Sequence, residues 1–144
     1  LGGHLDSYDI AGGAVDDGNG VSVTMEAARL LATCGAKPKR SIMFCLWTGE
    51  EYGLLGSKYF VESGLVPLEK ISNYFNRDGG PLAAVGVTVP PAMYDDFVEA
   101  GKSLLEYSED FPFTVSIPWL VFSRISCSSK ENTSVTPVIV PSLR

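Results

Sequence analysis

The spacing of apolar side chains predicts three helices. Apolar residues recur at three- and four-residue intervals from Val23 to Cys34, which predicts an amphipathic helix over about residues 20–34. A second helix is predicted over about residues 51–63. Pro91 opens a third helix that runs to about Leu105, because proline is well tolerated in the first helical turn.

Short apolar runs between these helices predict strands. Residues 41–47 (SIMFCLW) have the length and composition of a strand buried on both faces of a parallel sheet. Residues 1–4 read as the end of a strand, and residues 71–76 and 85–89 are further strand candidates. This alternation of strand and helix predicts a three-layer α/β/α fold with a mostly parallel central sheet.

Acidic residues and the sole histidine follow the predicted strand ends. His4 and Asp6 follow the first strand, Glu50 and Glu51 follow the second, and Asp78 follows the third. In open α/β sheets the functional crevice lies beyond the carboxyl ends of the strands. We therefore expect these side chains to meet at one edge of the sheet.

Composition narrows the class of partner. The 144 residues suit a single domain, and the formal net charge of −6 argues against nucleic acid, since phosphate binding needs clustered Lys and Arg. No apolar run reaches the roughly 18 residues of a membrane span.

The polar residues suit metal binding when they are taken together. Asp6 lies two residues after His4, where it can accept the second N–H of a metal-ligating imidazole. The Asp16–Asp17 pair lies in a glycine-rich loop, and the adjacent side chains of Glu50–Glu51 point in different directions. Crowded carboxylates need a cation, and carboxylate with imidazole but no thiolate suits zinc, manganese or cobalt.

Each of these features also has an ordinary structural explanation. An Asp pair in a glycine-rich loop is common turn chemistry, and a Glu pair at a helix start makes a favourable dipole contact. Their joint occurrence after successive strands is what favours a site.

Three segments resemble the co-catalytic zinc exopeptidases, a family that includes bacterial leucyl aminopeptidases and plasma glutamate carboxypeptidase. They are residues 2–7 (GGHLDS), 13–20 (GAVDDGNG) and 47–57 (WTGEEYGLLGS). The resemblance covers roughly residues 1–80 and continues more weakly to about residue 116. It implies a phosphorylase/peptidase-like α/β fold and two zinc ions in the intact parent protein.

Carried over residue by residue, the resemblance implies a role for each motif position. The implied metal ligands are His4, Asp16, Glu51 and Asp78, with Asp16 bridging the two zinc ions. Glu50 is the implied general base and Asp6 the residue that orients His4. The family also has a cis peptide after the bridging aspartate, here between Asp16 and Asp17.

The activity implied by the resemblance is hydrolysis of terminal peptide bonds or dipeptides. The resemblance implies that a hydroxide shared by the two metals attacks the scissile carbonyl. Glu50 takes the proton of the attacking water and returns it to the leaving amine. The implied partner is a peptide substrate, and the implied location is extracellular or periplasmic. The resemblance leaves open the end of the peptide attacked, the preferred side chain and the oligomeric state.

The pattern departs from the family after residue 116. The family has a fifth ligand, a late histidine, whereas this chain has one histidine in all. Residues 1–116 are expected to form a partial catalytic domain, and residues 117–144 match nothing in the family. A frameshifted or mispredicted end, or a chain that is a fragment, would each explain this. We expect the isolated chain to hold one zinc ion or fewer and to be weakly active or inactive.

Two other functions remain open at this stage. The chain could be a non-catalytic binding or scaffold relative, although such relatives typically lose ligands or the base, which are kept here. It could also be a single-zinc acyltransferase of the glutaminyl cyclase type. The second acidic residue of the Asp16–Asp17 pair and the sequence of residues 50–57 resemble the peptidases more closely.

Overall fold

The computed structural model describes residues 1–79, 84, 86–107 and 114–117. Contacts divide the chain into two compact units, whose described parts are residues 1–79 and the described residues between 84 and 117. Both units combine helices with short parallel strands, so the chain is mixed α/β. Apart from Ile117, the predicted divergent tail at residues 117–144 lies outside the described residues.

The first unit contains two parallel strands, two helices and a helical turn. In chain order these are β1 (Gly2–His4), α1 (Gly18–Thr33), β2 (Cys45–Trp47), α2 (Leu55–Glu62) and a 3-10 turn (Leu68–Lys70). In the sheet, Gly2 lies opposite Cys45 and His4 lies opposite Trp47.

A third segment pairs with the other edge of β1. The Gly2 N–H donates to the Phe75 carbonyl and the Arg77 N–H donates to the Gly2 carbonyl, both at 3.0 Å. This makes a parallel bridge between Gly2 and Asn76. The order across the sheet is therefore β2, β1 and then residues 75–77.

The predicted strands are longer than those observed. The run at 41–47 contributes only β2, and residues 71–76 contribute one bridge rather than a strand. Both segments pair with β1, which ends at His4, so neither finds a longer partner. The expected burial of 41–47 on both faces is wrong, since Met43 is 48% and Leu46 is 37% exposed.

The predicted helices are present with shifted starts. α1 begins at Gly18 rather than near residue 20, and the left-handed Gly35 (φ 67°) follows its end, as is common after helices. α2 begins at Leu55 rather than 51, because Gly53 (φ 110°) and Leu54 (φ 63°) have positive φ and interrupt the helix.

Backbone contact at glycines joins β1 to α1. A Cβ on Gly3 would lie 2.5 Å from the Asp17 Oδ2, and one on Gly20 would lie 2.1 Å from the Arg77 carbonyl oxygen. Strand, helix and the 75–77 segment therefore approach more closely than side chains permit. The buried residues here are glycines and polar residues rather than large apolar ones.

The second unit is built on another parallel pair. β3 (Gly86–Thr88) pairs with β4 (Thr114–Ser116), and a 3-10 turn (Pro91–Met93) leads into α3 (Tyr94–Tyr107), which packs on β4. The strand predicted over 85–89 and the helix predicted from Pro91 are confirmed in these elements. Val87 and Val89 are the buried hydrophobic side chains among the described residues.

No helix within the described ranges combines the length and the apolar character that crossing a bilayer requires.

The close backbone contact at Gly20 can be tested by measuring the free energy of unfolding. Gly20→Ala should lower the free energy of unfolding by about 2 kcal/mol or more, because the new Cβ meets backbone that cannot move aside. Gly12→Ala is the matched control: no atom lies within 4 Å of its Cβ position, so a change within about 0.5 kcal/mol is expected. Urea unfolding measures both, and equal effects of the two substitutions would contradict the close contact.

Candidate metal centre

Chain segments that end at one edge of the first unit bring four polar side chains together. His4 ends β1, Glu50 follows β2, Asp78 follows the 75–77 segment, and Asp16 lies in the loop before α1. The His4 Nε2 is 2.9 Å from the Asp16 Oδ1, 3.7 Å from the Asp78 Oδ1 and 3.9 Å from the Glu50 Oε2. The strand-end positions thus place their side chains around one imidazole nitrogen.

Three of these residues form a set of donors that can hold a metal ion. Within the described part of the chain, His4, Asp16 and Asp78 each offer a ligand atom, and these atoms lie within 4.8 Å of one another. Glu51, the fourth ligand implied by the resemblance, is not in this group. Nitrogen and carboxylate oxygen donors fit zinc in a catalytic site, which keeps a position open for water or substrate.

The donor set is open on one side. The His4 side chain is 2% exposed, whereas those of Asp16 and Asp78 are 57% and 39% exposed. A fixed, buried imidazole facing two solvent-accessible carboxylates allows an ion to enter without opening the fold. The donor chemistry and access therefore both fit a metal ion.

Hydrogen bonding at His4 leaves Nε2 facing the carboxylates. The Nδ1 lies 2.9 Å from the main-chain carbonyl oxygen of Asp6, and a proton on Nδ1 would make the Nε2 lone pair available to a cation. Burial alone would lower the pKa of His4, but the hydrogen bond to Asp16 and the charge of Asp78 raise it above its ordinary value. The surroundings therefore favour positive charge at this point.

The same crowding shifts the pKa values of the neighbouring carboxylates. Burial raises the pKa of Asp78, and the nearby charge of Asp16 raises it further against the opposing effect of His4. Burial also raises the pKa of Glu50, with Asp78 and Glu51 adding repulsion. A bound divalent cation would relieve this repulsion.

Asp6 has different partners from those expected. Its carboxylate lies 3.6 Å from the His4 Nδ1, beyond hydrogen-bond distance, and His4 contacts its main-chain oxygen instead. The two carboxylate oxygens accept the backbone N–H groups of Glu50 at 2.9 Å and Glu51 at 3.1 Å. Sequence spacing gave no indication of this contact across 44 positions.

Asp17 is a structural residue that the sequence reasoning missed. Its carboxylate accepts the N–H of His4 and the N–H of Gly20, both at 3.0 Å, and the residue is 1% exposed. It therefore caps α1 and holds β1 against it. An acidic residue just before the helical pattern was the available signal. The Asp16–Asp17 peptide is cis, as the resemblance implies.

Two hydrogen bonds between side chains connect β2 with residues 75–77, just before Asp78. The Trp47 Nε1–H donates to the Tyr74 hydroxyl at 2.5 Å, and that hydroxyl donates to the Asn76 Oδ1 at 3.0 Å. Burial raises the pKa of Tyr74 to about 12, so the hydroxyl stays protonated. These two hydrogen bonds join β2 to the residues that directly precede Asp78.

An apolar cleft of about 1000 Å³ adjoins the polar cluster in the same unit. His4, Glu50 and Asp78 are among its lining residues. Apolar side chains supply most of the remaining surface, and they include Trp47, Leu54, Phe60 and Ile71.

Imidazole and carboxylate donors at the ends of parallel strands are typical of α/β metalloenzymes. The chain belongs to peptidase family M28, whose family model matches residues 1–108. This confirms the resemblance to the co-catalytic exopeptidases.

Three curated peptidases are similar in sequence to this chain. Carboxypeptidase Q of Mus musculus is 38% identical over 85 residues, which are 59% of this chain and 18% of that protein. The probable leucine aminopeptidase 2 of Aspergillus fumigatus is 42% identical over 79 residues, 54% of this chain and 15% of that protein. The probable glutamate carboxypeptidase of Arthroderma benhamiae is 38% identical over 113 residues, 73% of this chain and 15% of that protein.

The chain thus spans less than a fifth of these curated relatives. A comparison with solved structures gave no significant match.

The raised pKa values predict how the metal-free chain responds to pH. Asp17, Asp78, Glu50 and His4 all bind protons more tightly in the folded state, with ordinary values of 3.8, 3.8, 4.5 and 6.5. The folded state then holds more protons than the unfolded state, so the free energy of unfolding falls as pH rises between about 4 and 7. Asp6, whose pKa is lowered, has the opposite effect only below that range.

Urea unfolding in chelator at pH 5 and pH 7 measures this slope. Asp78→Asn should flatten it, because it removes one raised group and one charge facing His4. Greater stability of the metal-free wild type at pH 7 than at pH 5 would contradict the assignment of these shifts.

Proposed function

We propose that the chain carries the metal centre of a zinc-dependent exopeptidase that hydrolyses terminal peptide bonds or dipeptides. The observation that supports this most strongly is the convergence of His4, Asp16 and Asp78 within 4.8 Å beside Glu50. Membership of peptidase family M28 supports the reaction class.

The proposed ligands are His4, Asp16 and Asp78, with Glu51 as a further ligand in the two-zinc parent. Bound zinc would supply Lewis-acid chemistry, polarising the substrate carbonyl and making water more acidic. The chain's own contribution is to fix the imidazole through its buried position and to keep the carboxylates accessible.

Glu50 is the proposed general base. Its Oε2 lies 3.9 Å from the His4 Nε2, close to the metal donors but outside their set, and its side chain is 28% exposed. Burial and neighbouring carboxylates raise its pKa, which suits a group that must accept a proton and then return it. In the proposed reaction it takes a proton from the attacking water and delivers it to the leaving amine.

We also propose the layer arrangement of the fold, the partner and the location of the protein. The three-layer α/β/α arrangement is proposed from the parallel strands and the family membership. The proposed partner is a peptide, the net charge of −6 argues against nucleic acid, and the resemblance to exported enzymes supports an extracellular or periplasmic location.

Glu50→Gln tests the base. Hydrolysis of a dipeptide or an aminoacyl anilide should fall about 100- to 10,000-fold, because glutamine cannot accept the proton. Zinc content should be unchanged, since Glu50 is not in the donor set. Glu62→Gln, an exposed position at the end of α2, is the matched control and should retain wild-type turnover. Near-normal turnover in Glu50→Gln would rule out the base assignment.

Zinc stoichiometry tests the site itself. We expect one zinc ion or fewer per chain, bound weakly, because a single group of three donors is present among the described residues. His4→Ala should abolish binding in isothermal titration, because the imidazole is the sole nitrogen donor in that group. Two tightly bound zinc ions by elemental analysis would contradict this expectation.

An N-terminal glutamine cyclisation assay run beside the hydrolysis assay separates the peptidase from a cyclising acyltransferase. Hydrolysis without cyclisation is the expected result.

A further inference from the structure

The two adjacent glutamates of the proposed site are held by their backbone. Asp6 directs one carboxylate oxygen at each amide: Oδ1 accepts the Glu50 N–H at 2.9 Å and Oδ2 accepts the Glu51 N–H at 3.1 Å. Because both oxygens are used, only a carboxylate satisfies the pair. An asparagine would present one acceptor and one N–H donor, and the donor would oppose an amide N–H.

The opposite side of the same turn is also fixed. The Glu50 carbonyl oxygen accepts the N–H groups of Gly53 and Leu54, both at 2.9 Å. Glu50 is thus held at its amide by the loop after β1 and at its carbonyl by the turn before α2. This backbone position aims its side chain at the His4 Nε2, 3.9 Å away.

The Asp6 carboxylate lies closer to the two amides than to the histidine ring. Its side chain is 17% exposed, and its carboxylate is 3.6 Å from the His4 Nδ1, whereas its main-chain oxygen is at 2.9 Å. Burial acts to raise the pKa of Asp6, but the amides of Glu50 and Glu51 lower it overall. The carboxylate is therefore bound to these amides in its charged form.

We infer that Asp6 is a positioning residue for the Glu50–Glu51 pair, acting through their two backbone amides. Loss of the Asp6 carboxylate would release Glu50 and Glu51 together. The structural statement stands on the hydrogen bonds alone, and its catalytic consequence rests on the proposed function.

The clamp is tested without any activity by nuclear magnetic resonance of the full chain. In the wild type, couplings across the hydrogen bonds should link the amide nitrogens of Glu50 and Glu51 to the Asp6 carboxyl carbon. In Asp6→Asn, hydrogen exchange at one or both amides should accelerate about 10-fold or more, because a charge-assisted bond is lost.

Asp9→Asn is the matched control. Asp9 lies three residues further along the same loop and accepts the Tyr52 hydroxyl instead of a backbone amide. This substitution should leave exchange at Glu50 and Glu51 unchanged. Absence of the wild-type couplings, together with unprotected amides at both positions, would overturn the clamp even if the Asp6 variant failed to fold.

Kinetics then test the consequence for the reaction. Asp6→Asn should lower kcat about 10- to 100-fold and leave KM within about twofold. In a Glu50→Gln background the same substitution should cost little more, because the group that it positions has already been removed. Asp9→Asn should keep wild-type kcat.

The outcomes separate the two proposals. Unchanged amide exchange at Glu50 and Glu51 in Asp6→Asn, with a loss of kcat that persists in the Glu50→Gln background, would show that Asp6 acts through a group other than the Glu50–Glu51 pair and would overturn the inference. Absence of zinc binding by the wild-type chain in isothermal titration, while the couplings and exchange rates follow expectation, would refute the proposed metal centre and uphold the clamp.

Discussion

The carboxylate of Asp17 is the contact on which the first unit depends. It joins the last residue of β1 to the first turn of α1 by accepting one amide from each, at a position where it is 1% exposed. Since the described part of that unit buries glycine and polar residues rather than large apolar ones, this junction takes the place that a hydrophobic contact holds elsewhere. Removing the acceptor would leave two buried donors unsatisfied, a costly defect in a protein interior.

The same arrangement links the structure to its proposed chemistry. Burial raises the pKa of Asp17, and the negative charge of Asp78 raises it further. The carboxylate that joins β1 to α1 is therefore destabilised by the charge of a proposed metal ligand. His4 belongs to both the junction and the donor set, because its amide binds Asp17 while its ring faces Asp16 and Asp78. A cation bound at the His4 ring would therefore stabilise the Asp17 junction between β1 and α1 as well as the metal site. Asp6 fixes the residues after β2 by accepting the backbone N–H groups of Glu50 and Glu51.

Sequence reasoning located the elements better than their ends and contacts. The helical spacing from Val23 onward was sufficient for α1, and the strand-end rule brought His4, Glu50 and Asp78 to one place. The lengths of β2 and the 75–77 segment were not predictable, because the partner strand limits them rather than their own apolar content. The left-handed Leu54 and the reach of Asp6 to the Glu50 amide depend on the assembled backbone, which no local pattern encodes.

The glycines at the strand–helix junction have an evolutionary consequence. At positions 2, 3 and 20 the space for a β-carbon is occupied by neighbouring backbone or by the Tyr74 and Asp17 side chains. Exposed positions such as Ile10, Tyr59 and Leu65 carry no such restriction. In a lineage that keeps this metal centre, neutral substitutions would accumulate at such exposed positions. The glycines of the junction would be replaced last, because any side chain there meets neighbouring atoms.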